Sequence, residues 1–191
     1  MNEKKIMENF KNGDESTCLE LLNKYQDRIY TLCRYMLENP QDAEDAAQDT
    51  FIKAFRGLKN FTPTSHFYTW LYRIAVNTCL DHKRKFSLHS LFFSSDNEAF
   101  LDIFPSHTPS PEAAFETKQS MQSLQLALNR LSMNLRTVLV LKELEGLSYE
   151  ETAEILDVSV GTVKSRISRA REELKKISKK IGNKNKTGTF K

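Results

Sequence analysis

The sequence predicts an all-α protein made of two small helical domains that are joined by a flexible linker, the C-terminal domain containing a helix-turn-helix. Three observations lead to this class. Apolar residues recur at helical spacing through most of the 191 residues. Glycine and proline number only 6 and 5, too few turn residues for a many-stranded sandwich. A stretch over 86–110 breaks the helical pattern with serine, asparagine, aspartate and proline.

The predicted domain limits follow from these signals. We expect a first domain over 1–85, a linker over 86–110, a second domain over 111–182, and a basic, disordered tail over 183–191. The expected helices run over 16–37, 41–57, 67–85, 111–131, 135–145, 149–157 and from the following turn to about 181.

The net charge of +3 hides a strong asymmetry along the chain. Residues 1–85 carry 13 basic and 12 acidic side chains, whereas 86–117 carry five acids and no lysine or arginine. Residues 118–191 carry 15 basic and 8 acidic side chains. Such separation predicts different partners for different segments.

The composition argues against several classes of protein. The chain has three cysteines without a C-x-x-C pair, four scattered histidines and no Gly-rich phosphate loop. This composition predicts no metal site, no cofactor, no small-molecule substrate and no enzyme activity. No apolar run approaches the roughly 20 residues that span a bilayer, and the N-terminus is not a secretory signal. We therefore expect a cytoplasmic protein without direct membrane insertion, in which Cys18, Cys33 and Cys79 are reduced and mostly buried.

Residues 149–171 have the pattern of a helix-turn-helix. Ser148 and Glu151 form a capping box, Ala153 lets two helices approach, and Val158 fills the turn. The second helix buries an apolar stripe and opposes it with a polar face that includes Lys164, Ser165, Ser168 and Arg169. A cationic face is required of a helix that inserts between phosphate backbones. The alternative is an amphipathic surface helix whose basic face is simply solvated.

Two further segments carry distinctive chemistry. Residues 41–50 hold four acids and no base, a pattern that complements the dipole at a helix N-terminus. Residues 61–85 combine a dense aromatic set with cations, as required for gripping unstacked single-stranded DNA. In that segment Phe67, Trp70, Leu71 and Ile74 have core spacing, and Phe61, on a loop, is the better candidate for a DNA contact.

These motifs together resemble a known family. LSYEETAEILDVSVGTVKSRISRAREELKK is similar to the promoter-reading helix-turn-helix of the bacterial extracytoplasmic-function (ECF) sigma factors. DAEDAAQDTFIKAFRGLKNF, followed by FYTWLYRIAVNTCLDHKRK, resembles the second conserved region of that family. The resemblance implies binding to core RNA polymerase and to promoter DNA, with an anti-sigma protein as a further partner.

The resemblance also assigns site residues. The implied polymerase-docking residues are Asp45, Gln48 and Asp49. The implied contacts to the −10 element are Phe61, Asn77, Lys83 and Arg84. The implied contacts to the −35 element are Lys142, Gly161, Thr162, Lys164, Ser165, Ser168 and Arg169, with Lys142 and the amides around Gly161 and Thr162 on phosphates.

The expected function is that of an alternative sigma factor, which directs promoter-specific initiation while catalysis belongs to the core polymerase. Two other classes stay open from the residues alone. One is a helix-turn-helix regulator that binds operator duplex without polymerase. The other is an RNA-binding protein that uses the aromatic segment on transcript.

Overall fold

The computed structural model describes residues 15–58, 61, 66–92 and 121–187, and these residues are helical with short connections. The first half contains α1 (Glu15–Lys24), α2 (Gln26–Met36), α3 (Pro40–Gly57) and α4 (Phe67–Phe92). The second half contains helical residues 121–129 (α5), then α6 (Met133–Leu139), a π-helical turn (Val140–Leu144), α7 (Tyr149–Leu156) and α8 (Val160–Thr187).

The first half is a bundle in which α2, α3 and α4 pack on one another. Its core includes Ile29, Leu32, Leu71 and Tyr72, none of which is exposed. Asn39 caps α3 by accepting a hydrogen bond from the Gln41 amide at 2.8 Å, and Pro40 occupies the first helical position, where no N–H is needed.

The expected helix limits differ from the structure mainly in three places. The helix expected over 16–37 is two helices, because the Tyr25 amide bonds the Leu22 carbonyl in a tight turn and the Tyr25 ring packs on Phe67. The helix expected to end at residue 85 continues to Phe92, since no glycine or proline stops it. The last helix runs to Thr187 rather than 181, because one glycine costs a helix only about 1 kcal/mol.

The second half contains the predicted helix-turn-helix. Ser148 and Glu151 form the capping box, with hydrogen bonds of 3.1 and 2.7 Å, which confirms the sequence prediction. Val163 and Ile167 of α8 pack against Val138 and Ala153 in a small apolar cluster. The predicted linker lies outside the described residues, apart from 86–92 at the end of α4.

The backbone at Gly146 gives a prediction with a matched control. Gly146 has a φ of +71°, and a Cβ there would meet no atom within 4 Å, so the penalty for a side chain is purely conformational. We expect Gly146→Ala to lower the free energy of unfolding by about 1 kcal/mol. Gly161 lies in α8 with ordinary space around it, so Gly161→Ala should leave stability unchanged or raise it by up to about 1 kcal/mol. Denaturant unfolding followed by circular dichroism measures the free energy of unfolding of both variants. Equal effects of the two substitutions would contradict the conformational penalty expected at Gly146.

Candidate nucleic-acid and polymerase interfaces

The polar face of α8 is presented to solvent. Lys164, Ser165, Ser168 and Arg169 are exposed, while Val163, Ile167 and Ala170 on the opposite side are at most 2% exposed. The apolar stripe therefore fixes the helix to the domain and leaves the predicted DNA-reading face open.

The N-terminus of α8 is already capped by a side chain. Ser159 Oγ accepts a hydrogen bond from the Thr162 amide at 3.2 Å and lies 2.9 Å from the Thr162 hydroxyl. Gly161 is exposed beside this cap. A phosphate that takes the Thr162 amide must therefore displace the Ser159 hydroxyl.

The sequence pattern around Tyr149 carries a capping signal but does not reveal a role for its aromatic ring. The Nζ atoms of Lys142 and Lys164 lie over the Tyr149 ring, 5.1 and 5.6 Å from its centroid. Lys142 also donates a hydrogen bond to the Leu147 carbonyl at 2.8 Å. Two of the residues predicted to contact the −35 element thus share one aromatic partner.

The acidic helix α3 places its three predicted docking residues on one face. Asp45 and Gln48 are exposed and Asp49 is half-buried, at the three- and four-residue spacing that aligns side chains along a helix. His82 of α4 lies 2.9 Å from Asp49. Ile52 extends the same face and is 48% exposed, a feature that the acidic pattern did not reveal.

The predicted −10 contacts on α4 are exposed. Asn77, Lys83 and Arg84 all face solvent. Lys83 bonds Glu38 at 2.7 Å and Arg84 bonds Asp81 at 3.2 Å. Because these pairs lie at the surface, DNA phosphates can compete for the two cations at small cost.

Phe61 is not the open loop residue that the sequence suggested. Its side chain is 5% exposed and belongs to the core of the first half. The ring packs on Phe67 and Trp70, with centroids 6.0 and 5.0 Å apart. The sequence placed it outside the core because the glycine- and proline-flanked segment has no helical period that marks a buried side.

Side chains of α4 bond to the second half of the chain, a contact that the sequence analysis did not predict. Tyr68 donates a hydrogen bond to Glu151, and Tyr72 donates one to Glu145 at 2.5 Å. Arg73 donates to the Glu154 carbonyl at 2.6 Å. Residues of α7 and the preceding Glu145 therefore cover part of the aromatic and cationic surface of α4.

Burial and hydrogen bonding shift the acidity of these groups. Burial and the bond to Glu151 raise the pKa of Tyr68 to about 12. Burial, reinforced by Glu145, also raises the pKa of Tyr72. The Tyr68 hydroxyl in turn lowers the pKa of the Glu151 carboxyl. The shifts favour the neutral phenols of Tyr68 and Tyr72 and the ionised carboxylate of Glu151.

The raised pKa of Tyr68 predicts a loss of stability in alkali. A folded-state pKa above the unfolded value of about 10 gives a stabilisation that is complete below pH 10 and is lost as the pH rises towards 12. We expect the free energy of unfolding to fall less steeply over this range in Tyr68→Phe than in the parent chain. Urea denaturation at a series of pH values measures the slopes, and identical slopes would refute the contact.

The two cysteines whose side chains are described are buried thiols. Cys33 and Cys79 are free, and their Sγ atoms lie 3.5 Å apart between α2 and α4. The bond to Cys33 and burial raise the pKa of the Cys79 thiol. The prediction for Cys18 lies outside the described side chains.

Metal-ligand clusters and membrane-spanning helices are both absent from the described part of the chain. Within it, no three histidine, cysteine, aspartate or glutamate side chains come together as metal ligands do. No helix among the same residues combines the length and the apolar character needed to cross a membrane.

Comparison with known proteins identifies both halves of the chain. Residues 21–87 match the family described as Sigma-70 region 2, and residues 121–174 match Sigma-70, region 4. The chain is 38% identical over 183 residues to the RNA polymerase sigma-H factor of Pseudomonas aeruginosa, covering 91% of this chain and 92% of that protein. The chain belongs to the family of RNA polymerase sigma factors.

A further relative of this sigma factor shows that it belongs to the ECF group. The ECF RNA polymerase sigma factor SigW of Bacillus subtilis is 37% identical over 177 residues, covering 91% of this chain and 95% of SigW. Among solved structures, the sigma factor RpoE in complex with the anti-sigma factor NepR from Bartonella quintana superposes with a TM-score of 0.70 at 28% identity. That match covers 87% of this chain and 97% of RpoE.

A second solved structure has a similar fold. CnrH, in complex with the cytosolic domain of CnrY, superposes with a TM-score of 0.66 at 26% identity, covering 90% of this sigma factor and 94% of CnrH. The matched regions place α2–α4 in sigma region 2, and α5–α7 with the first half of α8 in region 4.

Proposed function

We propose that this alternative sigma factor binds core RNA polymerase through α3 and reads promoter DNA through α4 and α8. The polar face of α8 carries the proposal. Four hydrogen-bonding side chains, Lys164, Ser165, Ser168 and Arg169, stand exposed on a helix whose other side is locked into the domain. A rigid helix with an open, cationic face is what duplex recognition in the major groove requires.

The proposed −10 contacts divide into two kinds. Asn77 can form hydrogen bonds to a base edge, whereas Lys83 and Arg84 supply charge for the backbone. Phe61 can stack on a base only after its contacts with Phe67 and Trp70 are loosened. Base capture by Phe61 therefore belongs to a step that follows docking on the polymerase.

Asp45, Gln48 and Asp49 form the proposed docking face for core polymerase. Exposed carboxylates favour a basic partner surface and speed its encounter with this helix. An anti-sigma factor is the second proposed protein partner, on the basis of the RpoE–NepR complex. A cytoplasmic location is part of the same proposal, because the chain has to meet core polymerase there.

The operator-binding alternative is less well supported. It leaves the acidic face of α3 without a role, and it does not account for similarity to sigma factors over about nine tenths of the chain. The relatives are initiation factors, which accords with a protein that supplies recognition while the polymerase supplies catalysis.

Arg169 gives a direct test of −35 readout. If Arg169 bonds a base edge, Arg169→Ala should cost about 1–3 kcal/mol of binding at one −35 position and relax the preference there. The measurement is promoter binding by the polymerase holoenzyme on every single-base variant of the −35 element. Arg130, exposed just beyond α5, provides the control Arg130→Ala. An equal loss on every sequence would instead assign Arg169 to a phosphate.

A further inference from the structure

The two buried cysteines of region 2 contact each other in its core. Cys33 of α2 and Cys79 of α4 are both free, and neither side chain is exposed. The Cys79 thiol donates a hydrogen bond to the Cys33 sulfur at 3.5 Å, between residues 46 positions apart. A disulfide bond joins sulfur atoms about 2.05 Å apart, so the two thiols are within about 1.5 Å of bonding distance.

The surroundings of this pair make uncontrolled oxidation harmful. Cys33 and Cys79 belong to the same buried apolar cluster as Leu32, Met36 and Val76, which are at most 1% exposed. Peroxide oxidises a single thiol to a sulfenic acid and then irreversibly to sulfinic and sulfonic acids. The last two are anions at neutral pH, and an unpaired anion in apolar surroundings is strongly destabilising. A buried cysteine that is oxidised alone therefore disrupts the core.

The contact between the thiols provides a different route for an oxidised sulfur. Hydrogen peroxide transfers one oxygen to the first thiol, which becomes a sulfenic acid as the O–O bond breaks and one water leaves. The second thiol then attacks the sulfenic sulfur, the S–O bond breaks, and the oxygen leaves as a second water with the thiol proton. Two thiols and one peroxide thus give one disulfide and two waters, with two electrons passing from sulfur to oxygen. A thiol reductant reverses the reaction by thiol–disulfide exchange.

We propose that Cys33 and Cys79 are a protective thiol pair, in which hydrogen peroxide forms a reversible disulfide before either sulfur is oxidised further. The inference does not depend on the proposed function, because it concerns the core of region 2 alone. Reaction requires brief local openings, since neither thiol is exposed. The bond to Cys33 and burial also raise the pKa of the Cys79 thiol, which slows its attack on peroxide. Both properties suit slow protection rather than rapid sensing.

The disulfide also has a consequence for stability. It links α2 to α4 and encloses the whole of α3 in a loop, because Pro40–Gly57 lies between the two cysteines in sequence. A cross-link over such a loop restricts the unfolded chain far more than the folded one. We expect the disulfide to raise Tm by at least about 5 °C, and reduction by dithiothreitol to reverse the change.

Peptide mass spectrometry of the oxidised full chain tests the proposal. A Cys18→Ser background leaves Cys33 and Cys79 as the only thiols. Their tryptic peptides, residues 29–34 and 74–83, contain no methionine, so any added oxygen in them reports cysteine chemistry. After titration with hydrogen peroxide we expect these two peptides to be joined, with a loss of about 2 Da and no added oxygen. Dithiothreitol should separate them and restore both thiols.

Single-cysteine variants provide the matched controls. Cys33→Ala and Cys79→Ala, each in the Cys18→Ser background, leave one thiol without its partner. We expect the remaining cysteine to gain two or three oxygens, about 32 or 48 Da, which dithiothreitol does not remove. The over-oxidised fraction in the parent should be at least about tenfold smaller, because a thiol already in contact intercepts the sulfenic acid at high effective concentration.

Three results would overturn the inference. One is over-oxidation of the parent at the same rate as the single-cysteine variants. Another is recovery of both thiols unreacted from the parent at peroxide concentrations that oxidise the variants, or from all three chains. The third is a disulfide that joins two copies of the chain instead of the two peptides within one copy. If one alanine variant does not fold, the other gives the comparison. If neither folds, the joined peptides and their reversal in the parent decide.

Discussion

Replacing Arg136 with alanine is expected to lower the free energy of unfolding by about 3–5 kcal/mol. Arg136 is 2% exposed and lies on α6, where its guanidinium bonds three backbone carbonyls. It reaches Met36 at 2.8 Å across the contact between the two halves, and Asn129 and Leu131 at 2.7 and 3.5 Å. Alanine removes the guanidinium donor from all three carbonyls.

Charge contributes little to this loss. Glu38 lies 3.6 Å from the Arg136 guanidinium and is half exposed, so it is not stranded when the arginine is removed. Burial raises the pKa of Glu38, but hydrogen bonds and charges from Lys83 and Arg136 outweigh this and lower it overall. The larger part of the loss therefore comes from the unbonded carbonyls.

Guanidinium chloride unfolding followed by circular dichroism tests the Arg136→Ala prediction. The exposed Arg130→Ala is the matched control, with an expected change within about 0.5 kcal/mol. A change below about 1 kcal/mol for Arg136→Ala would mean that the guanidinium does not tie these segments together.

Replacing Phe61 with alanine is expected to cost a similar amount, about 3–5 kcal/mol. The ring is 5% exposed and packs on two other aromatic side chains, so its removal leaves a cavity in the core of region 2. Ile52→Ala is the control, because Ile52 is 48% exposed and its truncation leaves no cavity. Similar losses for the two variants would contradict the burial of Phe61.

Phe61→Leu separates stability from strand opening. Leucine keeps most of the buried volume, so this variant should remain folded when the alanine variant is strongly destabilised. If Phe61 also captures a base of the −10 element, Phe61→Leu should bind core polymerase normally but should show weaker permanganate reactivity of the melted bases. Normal reactivity would remove Phe61 from the set of DNA contacts.

Local signals account for what the sequence predicted well. The capping box at Ser148 and Glu151 depends on residues three positions apart, and the apolar stripe through Val163 and Ile167 depends on helical spacing. Each pattern lies within adjacent turns of a single helix, α7 for the capping box and α8 for the stripe, so the local sequence is enough to locate it. On α3, by contrast, Asp45, Gln48 and Asp49 are assigned by the family resemblance rather than by a local signal, and their docking role stays a prediction although they lie beside buried alanines.

Long-range contacts account for what the sequence missed. The bond between Tyr72 and Glu145 joins residues 73 positions apart, and no periodicity encodes such a pair. Phe61 is buried by rings of α4, although its own segment has no helical pattern. The Tyr149 cluster likewise needs three elements to be packed before two lysines can share a ring.

Run-off transcription by purified core RNA polymerase on a promoter library, with and without this chain, tests the central claim most directly. We expect transcripts from templates that share paired −35 and −10 elements, and only when the chain is present. The control chain carries Asp45→Arg and Asp49→Arg on the docking face and should support little transcription while keeping its helical circular dichroism. If the chain binds duplex DNA tightly by itself and core polymerase produces no chain-dependent transcript, the protein is an operator-binding regulator and the sigma-factor account is wrong.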